Sequence, residues 1–144
     1  MTHARQQIRD GVVSAVTGLT TTGARVFASR IYPLDKSELP GLCVFTINET
    51  SERASRDTLM RELSVIVEAY VRANDNYDDV IDSIAAEVEQ AISNDATLLA
   101  LVKDIVIVSA TNDLMKDGDK PIAVVTLTFR CRYTTSPTNP QIIT

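Results

Sequence analysis

Nucleophilic catalysis and metal binding draw first on histidine and cysteine, and this sequence holds one His, His3, and two Cys, Cys43 and Cys131. A catalytic nucleophile needs a base beside it, so with His3 alone near the start of the chain no Ser–His or Cys–His pair is expected. A zinc site needs about four closely organised ligands, and neither cysteine belongs to a CxxC. A Cys43–Cys131 disulfide and two small, reduced core residues both fit such low cysteine usage. The 19 acids always allow a carboxylate pair, yet nothing sets one pair apart. Asp78, Asp79 and Asp82 gather where a helix should begin, and acids there offset the helix dipole. Asp75-Asn76-Tyr77-Asp78-Asp79 lacks the Gly and the later Glu of a calcium loop, and Thr20-Thr21-Thr22-Gly23 lacks the frame and Lys of a phosphate loop. These residues point away from an enzyme and imply no cofactor and no metal.

Charge placement says more. The net charge is −5 and the pI about 4.8. A general DNA-coating protein is normally basic, because phosphate neutralisation supplies most non-specific affinity. Between Arg72 and Lys103 the chain carries seven acids (Asp75, Asp78, Asp79, Asp82, Glu87, Glu89, Asp95) and no basic residue. Arginines stand elsewhere: Arg53 and Arg56 in a polar stretch, and Arg72, Arg130 and Arg132 on strand faces. Signs separated in this way suit head-to-tail self-association, and a head-to-tail contact that closes makes a ring. A merely solvated, segregated surface remains the plainer option. Leu114 and Met115, two apolar residues in a charged link, are expected either to dock on a neighbour or to fold back on the core.

The elements that carry these residues follow from periodicity. Ile8, Val12, Ala15, Val16 and Leu19 form one stripe of a helix over 3–18, which Gly18 ends. Strands are expected at 25–32 and 42–49, with 50–58 as a mobile loop. Residues 59–73 alternate: Leu59, Leu63, Val65, Val67, Ala69 and Val71 share one face. Arg61 falls on that apolar face, which suggests a bulge or a strand start near it. A helix over 76–93, capped by Asn76 or Asp78, buries Tyr77, Val80, Ile81, Ile84, Ala85, Val88 and Ile92. Asp95 can cap a short helix to Val102. Strands 104–112 and 121–134 close the chain around an Asp117-Gly118 turn. If 59–73 pairs with 121–134, one sheet face mixes Ile66, Tyr70 and Val124 with Thr126, Thr128, Arg130 and Arg132.

The order is therefore α-β-β-β-α-β-β. It implies an α+β fold with a mostly antiparallel sheet of about five strands and two main helices packed on one face. Residues 1–135 form one domain, and 136–144, with Pro137 and Pro140, form an extended or disordered tail. With 44% hydrophobic and 23% charged residues, the composition is that of a globular protein rather than a disordered chain. No apolar signal region follows Met1–Arg9 and no run reaches the ~20 apolar residues of a membrane span. A cytoplasmic protein, or one in a particle assembled there, is expected, with no membrane partner. Both the 50–58 loop and the tail are expected to order only on assembly.

The strings Leu19-Thr20-Thr21-Thr22-Gly23-Ala24-Arg25-Val26-Phe27, Arg30-Ile31-Tyr32-Pro33-Leu34 and Leu39-Pro40-Gly41-Leu42-Cys43-Val44, in this layout, resemble the tail terminator (minor tail protein U-like) family of long-tailed bacteriophages. The resemblance runs from about residue 4 to residue 134. It implies a virion protein at the tail–neck junction, a homohexameric ring that caps the tail tube, stops its growth and joins the tail to the head. Implied partners are the tail tube protein and the head–tail connector or stopper protein, with DNA passing through the ring without specific binding. The alternatives are another neck or tail part, such as a head-completion protein or tube subunit, and a small ligand-binding or enzymatic α+β domain.

Overall fold

The computed structural model describes residues 2–28, 39–73, 76–115 and 121–144, with Met115 placed by its backbone alone. Its elements are α1 (Ala4–Val16), β1 (Val26–Phe27), β2 (Gly41–Ser55), β3 (Thr58–Arg72), α2 (Tyr77–Asn94), α3 (Ala96–Leu101), β4 (Asp104–Met115), β5 (Ile122–Ser136) and β6 (Asn139–Ile143). One sheet runs β1-β2-β3-β5-β4, with β6 paired to β5. All pairings are antiparallel except β1 with β2. This is the α+β fold with a largely antiparallel sheet that the periodicity implies.

Alternation decides which sheet face is dry. Leu63, Val65, Val67, Ala69 and Val71 of β3 and Ala123, Val125, Leu127, Phe129, Cys131 and Tyr133 of β5 all join the core. Ile8, Val12 and Val16 of α1 and Ile81, Ile84, Val88 and Ile92 of α2 come down on them. Fully burying one such aliphatic side chain stabilises the fold by about 1.5–3 kcal/mol. The two helices divide the sheet between them. α1 packs on β1, β2 and β6, whereas α2 packs on β3, β5 and β4.

One sequence expectation is corrected and two gain detail. Residues 50–58 are not a loop: β2 and β3 form one long hairpin, paired out to Arg53–Leu59 and Ser55–Thr58. Of the strand expected at 25–32, Val26–Phe27 is strand, lies parallel to β2, and pairs with Leu42 and Cys43. Arg25 holds this corner, donating from Nε to the Pro40 carbonyl at 2.7 Å and from Nη2 to the Thr21 carbonyl at 3.1 Å. The segment after Ser136 makes a strand, with Thr135 paired to Ile143. The Arg30–Leu34 string, Asp75 and the Asp117-Gly118 turn lie outside the described residues.

Helix ends follow their caps. Asp95 Oδ1 accepts from the Leu98 N–H at 2.8 Å and starts α3. Asn76 precedes α2 without a side-chain bond, so the acids Asp78 and Asp79 in the first turn supply the favourable charge. At α1 the cap is His3, whose Nδ1 accepts from the Arg5 N–H at 3.0 Å. Only a neutral imidazole can accept there. Desolvation, then the Arg5 charge, lowers the His3 pKa below its ordinary 6.5. The folded state thus binds the proton less readily than the unfolded chain, and stability is lost as pH falls below about 6.5. A small decline of thermal midpoint between pH 7 and pH 5 is expected to shrink in His3→Asn, whose amide caps without titrating. A His3→Asn profile identical to that of the unaltered chain over this range would contradict the capping role.

Candidate assembly surfaces

Beyond the helix layer, β2 and β3 continue as an arm made of residues 47–62. Its root is fixed by one buried carboxylate. Glu49 Oε2 accepts from Arg61 Nη1 at 3.1 Å, and the Tyr133 hydroxyl donates to Glu49 Oε1. Arg61 Nε donates to Thr135 Oγ1 at 3.0 Å, and Arg5 of α1 lies 3.9 Å from the same carboxylate. The Glu49 and Arg61 side chains are only 7% and 13% exposed, so this pair is screened far less than a surface salt bridge. The Tyr133 hydroxyl is pushed above its ordinary range by desolvation first and by its bond to Glu49 second. Arg61 therefore keeps its place on the apolar face of β3 because a partner waits there, and β3 carries no bulge at it. The β2 strand opposite does shift register, between Thr46 and Glu49.

The helical face of the arm root, with α1, forms an open groove of about 360 Å3 lined by His3, Arg5, Gln6, Arg9, Thr46, Ile47, Asn48 and Leu63. A second hollow of about 310 Å3 runs along the arm between Thr50, Ser51, Glu52, Met60, Glu62 and Arg132. Both are shallow and wet. No group of three or more His, Cys, Asp or Glu residues is placed to hold a metal ion among the described residues. No described helix is long and apolar enough to cross a membrane.

The residues expected to make contacts fall into separate zones. Asp78, Asp79 and Asp82 are exposed on α2, in the helix layer. Arg130 and Arg132 project from the other sheet face, alternating with the buried Phe129, Cys131 and Tyr133. Arg130 Nε lies 3.3 Å from Glu62 Oε1 in an exposed pair. Arg53 and Arg56 are exposed at the end of the arm, where Arg53 Nη1 donates to the Arg56 carbonyl. Arg72 is exposed at the last position of β3. Leu114 is exposed near the end of β4, while the Met115 side chain lies outside the description. Signs are thus sorted by layer rather than gathered into one site.

The sheet face away from the helices is mixed, as its residues imply. Ile66 and Val124 are buried there, and Glu68 accepts from the Tyr70 hydroxyl at 3.1 Å and from Thr126 at 3.2 Å. Cys43 and Cys131 are both buried. Burial pushes the Cys131 thiol up to about 12, with Asp104 and Glu49 adding to the rise. The groups that sequence reasoning missed are Glu49 and Tyr133. The one signal for them was an arginine at an apolar position of an otherwise regular strand.

The description "Phage minor tail protein U" matches residues 3–133 of the chain. Among solved structures, a chain of the virion of a native gene transfer agent (GTA) particle is similar at 19% identity over 92% of each chain, with a TM-score of 0.42. No curated protein matches.

Removing the Glu49 carboxylate leaves Arg61 charged and nearly buried. Glu49→Ala is expected to cost about 3–5 kcal/mol in denaturant unfolding. Replacing both partners, as in Glu49→Leu with Arg61→Met, is expected to recover most of that loss. A double variant no more stable than Glu49→Ala would refute the pair as the fixing element.

Proposed function

The chain belongs to the phage minor tail protein U family, and we propose that within the virion it is the tail terminator: a hexameric ring on the end of the tail tube that stops tube growth and joins the tail to the head connector. A structural role in the phage tail follows from the family; the ring and the joining role are the proposal. The observation that supports a ring is the unlikeness of the molecule's two flanks. One flank carries β4. The opposite flank carries β2 and the arm, with Arg53 and Arg56 at its end. A contact between two unlike flanks runs head to tail, and head-to-tail contacts that close make a ring.

Charge supports the same arrangement. Asp78, Asp79 and Asp82 give the helix layer a negative field, and the arm offers the guanidinium groups that a next copy can bring toward it. At a net charge of −5, free subunits repel weakly and stay dispersed until a template holds them together. The ring's bore then needs no affinity for the DNA that passes through it, in keeping with an acidic protein.

Native mass measurement at high protein concentration and on isolated tail tubes is expected to show a hexamer and capped tubes. A chain that stays monomeric on tubes and leaves their growth unchecked would overturn this reading, and open tubes built from this chain alone would replace it with a tube subunit. Arg53→Glu with Arg56→Glu is expected to slow assembly at low ionic strength and to lose that effect at high salt, where exposed charges are screened. Equal rates at low salt would remove the arm's arginines from the contact.

A further inference from the structure

Besides the outer edges of the short β1 and β6, two long stretches of sheet edge are free among the described residues. β1 occupies the β2 edge at Leu42 and Cys43, and β6 occupies the β5 edge at Thr135 and Ser136. What remains is β2 from Ile47 to Ser55 and β4 from Val106 to Leu114. These lie at diagonally opposite corners of the sheet. Val106 stands level with Arg130 and Ser64, and so with the Ile47–Asn48 bulge. The free part of β2 runs from that level in one direction, and the free part of β4 runs in the other.

Both stretches are exposed and contain no Pro and no Lys, the residues that normally blunt an edge. Val106, Val108 and Leu114 are 37%, 50% and 41% exposed on β4, and Ile47 is 52% exposed on β2. An edge of this kind, with β-branched residues on show, is a template for another strand.

We infer that the β4 edge of one copy pairs antiparallel with the β2 arm of the next, so that neighbouring sheets join into one. This rests on the ring reading above and names its contact. Direction fits: β2, β3, β5 and β4 alternate in sense, so β2 and β4 of one copy are antiparallel to each other. Stepping to the next copy preserves that sense as long as the strands run more along the ring axis than across it. Length fits as well, because 106–114 and 47–55 match end to end. That overlay sets Ile47 against Leu114, an apolar pair at one end. It slides each copy by about 23 Å along the strands, the seven residues of β5 from Arg130 to Ala123 at ~3.3 Å. A closed ring takes up such a slide as strand tilt.

Two variants with blocked edges test this. Val108→Lys with Leu114→Lys blocks β4, and Ile47→Lys with Ala54→Lys blocks the arm. All four positions are exposed, so each variant is expected to keep the far-ultraviolet circular dichroism and thermal midpoint of the unaltered chain. Each alone is expected to associate at least about tenfold more weakly and to stay monomeric on native mass measurement. Mixed in equal amounts, they are expected to give dimers, one intact junction joining two blocked ends. Hexamers from either variant, alongside hexamers of the unaltered chain, would overturn the edge contact and leave the ring standing. A dimer from the arm-blocked variant alone would also overturn it, since β4 would then pair with β4. An unaltered chain that forms no ring on tubes would fail the ring reading itself.

Discussion

The pairing of β3 with β5 is the constraint on which the rest of the molecule depends. It runs from Leu59–Thr135 to Arg72–Ile122 without a register shift, while the outer pairings contain two, in β2 with β3, and one, in β4 with β5. Because side chains alternate, a one-residue slip here would send Val65, Val67, Leu127 and Phe129 to the wet face together. Every other element takes its position from this unshifted pair. α2 packs along it, β6 caps its end, and the arm is its continuation beyond the helices.

The Glu49 cluster ties that spine to the helix layer. Glu49 belongs to β2, Arg61 to β3 and Tyr133 to β5, while Arg5 approaches from α1. Compared with apolar residues of the same volume, a buried ion pair adds little net stability. What it does is penalise every arrangement that leaves one partner alone, and so it fixes how the arm leaves the body. A hydrophobic contact at this point would be indifferent to a few degrees of rotation. A hydroxyl and a guanidinium bonded to one carboxylate are not.

Much of this was legible in the sequence. Strict alternation over 59–73 and 121–134 specified two strands, their shared dry face and the mixed opposite face, because period two admits no other placement of so many Val and Leu residues. The stripes of α1 and α2 were equally plain. The arm was not legible: Thr50 to Thr58 has no apolar alternation because both its faces meet solvent, so the signal that marks a half-buried strand was never needed there. β6 was hidden for a different reason. It is short and held to β5 by few backbone pairs, which leaves little trace in local residue choice. The sheet lies between Arg130 and Arg132 on one side and Asp78, Asp79 and Asp82 on the other. Sequence spacing reveals which strand face a residue occupies. It does not reveal which layers a fold places between two charges.

A soluble monomer with free β edges usually carries Lys or Pro on them, or tucks them under a helix. β4 has neither over 106–114, and its one irregularity, the shift between Ile107 and Ser109, leaves the pairing with β5 intact on both sides. The acidic net charge is a protection that acts at long range and weakens as local concentration rises. Without Lys or Pro over 106–114, the β4 edge leaves that long-range charge as its main guard against another strand.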